Sequence, residues 1–252
     1  MKPSRRRSFQ GVYNVLLFNR HYYWASLAGL VAGALLLNGL ILPEGFRGVA
    51  WLGLAAVAYF TVASLAASWW VYDASPLYRW EWLPGFVGRA PSSALNIHAG
   101  FDETSGVLRE LFPDARWETA DFYDPTLHTE ISLARARRQY PAPVFSQPVL
   151  SSHLPYPIGS FEAVFVLFAA HEIRKPVERV QFFEELKRVL RPGGSVILVE
   201  HLRDGPNFLA FGTGFTHFYS RSEWERVIES AGLRVEKQLG HTPFVKAFKI
   251  GV

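Results

Sequence analysis

The chain of 252 residues contains no cysteine and a single methionine. Disulfides, thiolate nucleophiles and zinc sites built on cysteine are therefore excluded. Charge is also scarce, at 19% of residues against about 25% for an average soluble domain. The small basic excess, +4, sits largely in "KPSRRRS" at the N-terminus and in "RARR" at Arg135 to Arg138. Neither run is interleaved with aromatic residues that could stack bases, so no nucleic-acid partner is expected.

What the chain has in quantity is uninterrupted apolar sequence. From Tyr22 to Leu42, 21 residues pass without one Asp, Glu, Lys, Arg or His, and from Gly48 to Tyr72 another 25. A bilayer core of about 30 Å takes roughly 20 helical residues, so each run is long enough to span. The short "LPEGFRG" between them predicts a transmembrane hairpin. A signal peptide is a rival for the first run, although its apolar core is normally shorter and no second span follows it. A buried helical pair of a soluble domain is the other rival. Lys2, Arg5, Arg6, Arg7 and Arg20 precede the first run and only Arg47 lies in the turn. That asymmetry places the N-terminus and whatever follows Tyr72 in the cytoplasm. Gly29 and Gly33, with Ala56, Ala63 and Ala67, offer small surfaces for packing within the hairpin or for a homodimer through it.

The resulting division is a basic cytoplasmic N-terminus (residues 1–21), a hairpin of two transmembrane α-helices (22–72), an interfacial linker (73–90) and a soluble domain (91–252). In the linker Tyr78, Trp80, Trp82 and Phe86 alternate with charges, as in a segment lying at headgroup level. Packing of those rings on the domain is the alternative. From Ser93 strands and helices alternate: "ALNIH", "SGVLRELF", "ARWETADF", "FEAVFVLFA", "PVERVQFFEELKRVL", "SVILVEH", "SRSEWERVIESAGL", "RVEKQLG" and "FVKAFKI". In the long helix Val177, Val180, Phe183, Leu186 and Leu190 share one face. Continuous apolar runs and alternation together mean an α/β doubly wound sheet, with ligands beyond the C-terminal strand ends. The basic, proline-punctuated stretch Leu133 to Pro148 reads as an excursion, either solvated or touching anionic headgroups.

The block from Leu154 to His201 resembles the second half of a class I S-adenosylmethionine-dependent methyltransferase. Leu154, Pro155 and Tyr156 match a Leu-Pro-Phe turn, Ser160, Phe161, Glu162 and Val164 a Ser-Phe-Asp-x-Val strand, and Arg191 to Gly194 an Arg-Pro-Gly-Gly element. The resemblance runs from about Ser93 to Val252 and implies a Rossmann-like fold with S-adenosylmethionine as cofactor. Within the class the chain is most similar to methyltransferases of small lipophilic acceptors such as quinones.

Carried onto this chain, the resemblance implies a cofactor site at Asn96, His98, Gly100, Asp102, Glu103, Asp121, Phe122, His153, Leu154 and Phe168. Glycine is favoured where backbone approaches the cofactor's methionyl end, and Asp121 stands where a carboxylate takes both ribose hydroxyls, with Asp124 as rival. The chain departs from the pattern at three places. Asn96 replaces an acidic residue, His98 a glycine, and "SSH" before Leu154 lacks the usual acid. Asp102 or Glu103 is then left to meet the cofactor's ammonium.

His171, Glu172 and His217 are the candidate catalytic residues. An imidazole oriented by a carboxylate can take a proton from an oxygen or carbon nucleophile near neutral pH. Helix capping is the alternative role for His171. Phe208, Phe211, Phe215, His217, Phe218 and Tyr219 form a possible lid, or else core or membrane-facing surface. His98, His171, His201 and His217 lack metalloprotease spacing, so no metal is expected. The chain then reads as a two-pass membrane methyltransferase acting on a quinone, phenol, isoprenoid or lipid, with the bilayer as partner. The competing reading is a non-catalytic membrane scaffold whose methyltransferase-like domain is degenerate.

Overall fold

A computed structural model describes residues 7–39 and 43–252. Lys2, Arg5, Arg6 and the end of the first apolar run, at 40–42, lie outside the described residues. Three helices come first: α1 (Gln10–Phe18), α2 (Arg20–Gly39) and α3 (Glu44–Trp69). The last two pair along their length, with Gly33 against Leu54 and the Tyr23 hydroxyl 3.3 Å from that of Ser64. A Cβ at Gly33 would fall 2.7 Å from the Leu54 side chain, so the small residue sets the approach inside the hairpin.

Among the described residues one helix, Glu44–Arg79, is long and apolar enough to cross a membrane, with a mean hydropathy of 1.9 and nothing of its apolar window buried. Leu27, Val31 and Leu35 of α2 are likewise exposed, as are Phe46, Val49, Leu52 and Val62 of α3.

α3 continues into a π-helical turn, Trp70–Ala74, then a 3-10 turn, Leu77–Arg79, and the short α4 (Leu83–Val87). Here the structure departs from the expected headgroup-level linker. Leu77, Trp80, Leu83, Phe86 and Val87 are buried with Ala94, Phe165, Ile197 and Val199 against one face of the sheet. Burying such side chains is worth about 2 kcal/mol each, which outweighs the weaker pull of an interface. The aromatic alternation in 73–90 therefore belongs to the domain core.

The sheet comprises β1 (Ser93–His98), β2 (Arg116–Asp121), β3 (Gln147–Pro148), β4 (Phe161–Leu167), β5 (Leu190–His201), β6 (Arg234–Gly240) and β7 (Val245–Gly251). Its order is β3-β2-β1-β4-β5-β7-β6, with the first five strands parallel and β7 antiparallel to both neighbours. This is the doubly wound architecture the sequence implies, closed at one edge by a hairpin. The order reverses beside β1 and β4, so their C-terminal ends flank the cleft.

Covering helices are α5 (Ser105–Leu111), α6 (Ile131–Gln139), α7 (Pro176–Val189), α8 (Gly205–Phe211) and α9 (Arg221–Ser230). Two local readings change. The stretch expected as an excursion from Leu133 begins as helix α6. On α7 the buried stripe is Phe182, Phe183, Leu186 and Val189, whereas Val177 is 68% exposed. Arg179 is buried in that first turn instead, bonded to the carbonyls of Ile173 and Arg174 and to Glu223.

Candidate active site

A cavity of about 260 Å³ lies beyond the C-terminal ends of β1, β4 and β5. Its floor is strand-end residues: Ala99, Leu167, Phe168, His171, Glu172 and His201. Its walls come from elsewhere in the chain. Tyr72 and Tyr78 enter from the end of the apolar helix, and Asn14, Phe18 and neighbours enter from α1. Residues of α1 are thus part of the cavity's cover. Asp73 fixes that cover by accepting from the Gly11 and Val12 amides at 2.8 and 2.9 Å. α1 then rests on α6, with Arg135 on the Phe18 carbonyl, Tyr140 on Asn14, and Phe18, Phe101 and Tyr140 packed edge to face or tilted.

At the cofactor end, the residues singled out from sequence separate into four groups. Asn96 and Asp102 brace the loop. Asn96 is fully buried and donates to Thr104 and Ser105 at 3.1 and 2.8 Å, while Asp102 accepts from the Thr104 and Ser105 amides and starts α5. Phe122 and Leu154 are core: Phe122 packs on Phe182 and His128, and Leu154 is fully buried. His153 is exposed and lies 3.9 Å from Glu185. The rest hold the cleft. Glu103 and Phe168 line the cavity, and Tyr78 donates to Glu103 at 3.4 Å.

Gly100 and Asp121 form the tightest part of this end. Gly100 has φ +85°, and a Cβ there would meet the Tyr123 ring at 2.9 Å, so only glycine fits. Asp121 accepts from the Gly100 and Tyr123 amides at 2.8 and 3.0 Å, and its other oxygen is bound by Arg137 of α6. Arg137 also covers the Tyr123 ring at 4.8 Å. His98 is buried with Nε2 2.8 Å from the Ser146 hydroxyl. Burial holds its imidazole below the ordinary value, with Asp102 and Asp121 opposing that and Arg137 adding to it. Two buried atoms in this corner, Asn96 Oδ1 and His98 Nδ1, have no hydrogen-bond partner among the described residues.

At the acceptor end His171 follows β4 on a single helical turn, Ala170–Glu172. Its Nδ1 lies 2.7 Å from Glu200 Oε2 and its amide donates to Glu200 Oε1, while Nε2 lies 3.3 Å from Glu172. Burial alone would lower this imidazole's pKa. The Glu200 charge and the hydrogen bonds to Glu172 and Glu200 outweigh it and raise the value to about 10. Glu172, for which burial works the other way, is pulled well below the carboxylate range by His171 and His217. His217 stands 5.2 Å from His171, ring to ring, with Arg174 against its Nδ1. All three sequence candidates, His171, Glu172 and His217, are therefore brought together. Their donor atoms lie within 4.8 Å of one another, close enough to hold a cation.

Several groups of this site were not singled out from sequence. Glu200 is the penultimate residue of β5, at the end of an apolar run, and only the period of that strand could flag it as facing inward. By sequence Tyr72 is the last residue of a span. Arg137 lay in a stretch read as loop. His201, noted only for a metal, donates or accepts at 3.2 Å with Asn207 and at 2.9 Å with Tyr72.

Residues 120–198, from the end of β2 into β5, match the family model described as a methyltransferase domain. A relative in Thermus thermophilus, a demethylmenaquinone methyltransferase, is 31% identical over 136 residues, which cover 53% of this chain and 57% of that protein. Among solved structures, an S-adenosylmethionine-dependent methyltransferase from Aquifex aeolicus is 18% identical, with a TM-score of 0.44 over 64% of this chain and 82% of its own. The complex of a methyltransferase activator and a methyltransferase from Haloferax volcanii gives 16% identity and a TM-score of 0.48, covering 77% and 96%. The sheet order, the ligand end of the strands and the matched family model agree: residues 120–198 belong to a methyltransferase domain, on an α/β Rossmann-like methyltransferase fold.

Proposed function

We propose that this protein transfers a methyl group to a small lipophilic acceptor drawn from the bilayer. The observation that carries the reading is the composition of the cavity wall. One end of the cavity is the strand-end site of the methyltransferase domain, and the other is built by Tyr72 and Tyr78 at the foot of the apolar helix. A membrane-dissolved molecule held near the hairpin reaches the site at a raised effective concentration. The hairpin would cross twice, with the N-terminus and domain in the cytoplasm, and homodimerisation through it fits the exposed apolar faces of α2 and α3. The relative in Thermus thermophilus, by name a methyltransferase of demethylmenaquinone, makes an isoprenoid quinol a reasonable acceptor to try.

The residues present fit the cofactor. Glu103 offers a carboxylate to its ammonium, Gly100 gives close backbone approach, and Asp121 can receive ribose hydroxyls once Arg137 releases its second oxygen. When bound, the sulfonium supplies an electrophilic methyl for in-line displacement. His171 faces the acceptor as an imidazolium at neutral pH. Such a group favours an acceptor reacting as an oxyanion, whose charge it stabilises in a water-poor site. Glu200 holds the ring in place, and Glu172 balances its charge at the cavity edge.

A second reading, a scaffold without catalysis, has one observation in its favour: Arg137 occupies the Asp121 oxygen that the cofactor needs. Titrating the full-length protein in detergent with S-adenosylmethionine and its demethylated product separates the two. Binding, together with transfer of labelled methyl into extractable lipid, supports the enzyme. No binding at millimolar cofactor in folded protein sinks it.

A further inference from the structure

The segment after β5, α8 with the 3-10 turn Gly212–His217, leans on the apolar helix. Phe208 meets the Phe60 ring at 6.0 Å and 63°, and a Cβ at Gly212 would stand 3.1 Å from that same ring. Further along, Phe211 and Trp70 both pack edge-on to Phe244. Contact therefore runs from Phe60 to the end of α3. Charge sets the depth of that contact. Arg47 and Asp73 bracket the uncharged run of the helix, and a span takes roughly 20 of the residues between them. Any such window contains Phe60, so in a membrane the level of Phe60 lies within the hydrocarbon. A segment packed on Phe60 reaches that level too.

The composition of the segment fits that place. Residues 205–216 include no Asp, Glu, Lys, Arg or His. Asn207, their one amide side chain, is fully buried and bonded to Asp204 and the Phe244 carbonyl, whereas Phe208 and Leu209 are 43% and 57% exposed. Those two continue the exposed apolar surface of α3, where Val57 and Val62 face outward. Arg203 stands exposed at the base of the segment and donates to the Phe218 and Thr216 carbonyls. Among the described residues it pairs with no carboxylate, and such a cation suits an anionic headgroup. We infer that residues 205–216 form a second membrane-inserted element, with Phe208 and Leu209 covered by phospholipid acyl chains beside α3. The inference rests on the proposed bilayer reading of the hairpin and adds the surface by which the domain itself enters the leaflet. The same segment leads to the site: Phe211 packs on Phe218 at 6.0 Å, and Phe218 and His217 line the cavity. An acceptor dissolved in the leaflet then reaches the cavity wall along aromatic surface.

The test uses the full-length protein in vesicles of equal parts phosphatidylcholine and phosphatidylglycerol. The chain has no cysteine, so single cysteines take an environment-sensitive fluorophore at chosen places. Leu209→Cys reports on the segment and Val62→Cys on α3. Ile158→Cys, 79% exposed ahead of β4, reports on the opposite end of the strands. The two quenchers are aqueous iodide and a phospholipid carrying a nitroxide on its acyl chain. Iodide does not enter hydrocarbon, because an unpaired ion is too costly to desolvate. The Leu209 label is expected to lose iodide quenching and to gain nitroxide quenching to the level of the Val62 label. The Ile158 label is expected to respond to iodide alone. Thr213→Cys, exposed on the adjoining turn, should behave as Leu209→Cys does and guards against one label disturbing the fold. Iodide quenching at both segment positions, with the Val62 label still in lipid, overturns the inference and leaves the hairpin reading standing. Protection from both quenchers also overturns it, since protein such as a second copy then covers that face. Iodide quenching at Val62 is a separate result and removes the bilayer reading itself.

Discussion

The two ends of the cleft handle polar groups in opposite ways. At the cofactor end, after β1 and β2, carboxylates are already engaged by their own chain: Asp102 by two amides, Asp121 by two amides and Arg137. At the acceptor end, after β4 and β5, polar groups are arranged in relays that finish on the cavity: Glu200 to His171 to Glu172, and Asn207 to His201 to Tyr72. The first end must rearrange to receive its ligand, whereas the second is preorganised. The same contrast appears in two histidines one strand apart. His201 is buried and His171 largely so, yet His171 rises to about 10 and His201 falls to about 4. The difference is the carboxylate pair beside one and the neutral amide beside the other. Environments that push two like groups apart mark them for different roles.

The largest expected effect comes from the preorganised end. His171→Gln keeps a hydrogen bond to Glu200 but removes the cation that faces the acceptor. Turnover should fall roughly 100- to 1000-fold, the scale on which one oxyanion-stabilising group acts. Cofactor affinity, measured by calorimetry, should not change. A loss of cofactor binding with turnover per bound enzyme intact would make His171 a structural part of the cofactor end and dissolve the contrast.

Arg137→Ala tests the other side with a smaller and opposite effect. Removing the guanidinium frees Asp121 Oδ2, so S-adenosylmethionine should bind more tightly, by up to about tenfold. The gain is modest because the Arg137 side chain is 32% exposed and a part-solvated pair is weak. Weaker binding in this variant would show that Arg137 belongs to the cofactor site and that this end, too, is preformed.

How much of this was legible beforehand follows the same division. Strands β4 and β5 are buried on both faces, so their continuous apolar runs identify them and fix the site's strand ends. His171, Glu172 and His217 could be named because strand ends and a histidine next to an acid are local signals. Asn96 and Asp102 were placed on the cofactor by position in a pattern. In the fold they are spent on holding a loop that lacks the usual glycines, His98 among them. Tyr72 and Arg137 carried no local signal, since their roles depend on a π-helical turn and on α6 docking across the cleft. The aromatic stretch 73–90 misled because alternation of rings and charges is common to an interface and to a helix-capped sheet face. Burial of Trp80 and Phe86 decides between them.

The smallest effect sharpens the histidine comparison through stability. The His171 pKa in the folded state, about 10, lies above its unfolded value of 6.5. The folded protein therefore holds a proton that the unfolded chain gives up between those values. The stabilisation is complete below about pH 6.5 and is lost as pH rises towards 10. Glu200→Gln removes the charge that sustains the shift, so the variant should start less stable and lose less over that range. In thermal melts at pH 6 and pH 10, the gap between wild type and Glu200→Gln should narrow by a few degrees at the higher pH. His201 contributes nothing to this window, because its folded value lies below the unfolded one and its effect is confined to acid. An Asn207→Ala control, which removes the amide beside His201 and adds no charge, should leave the gap between pH 6 and pH 10 as in the wild type. Parallel curves for wild type and Glu200→Gln would mean that the buried pair shares no proton in this range, and the two histidines would then differ less than their surroundings imply.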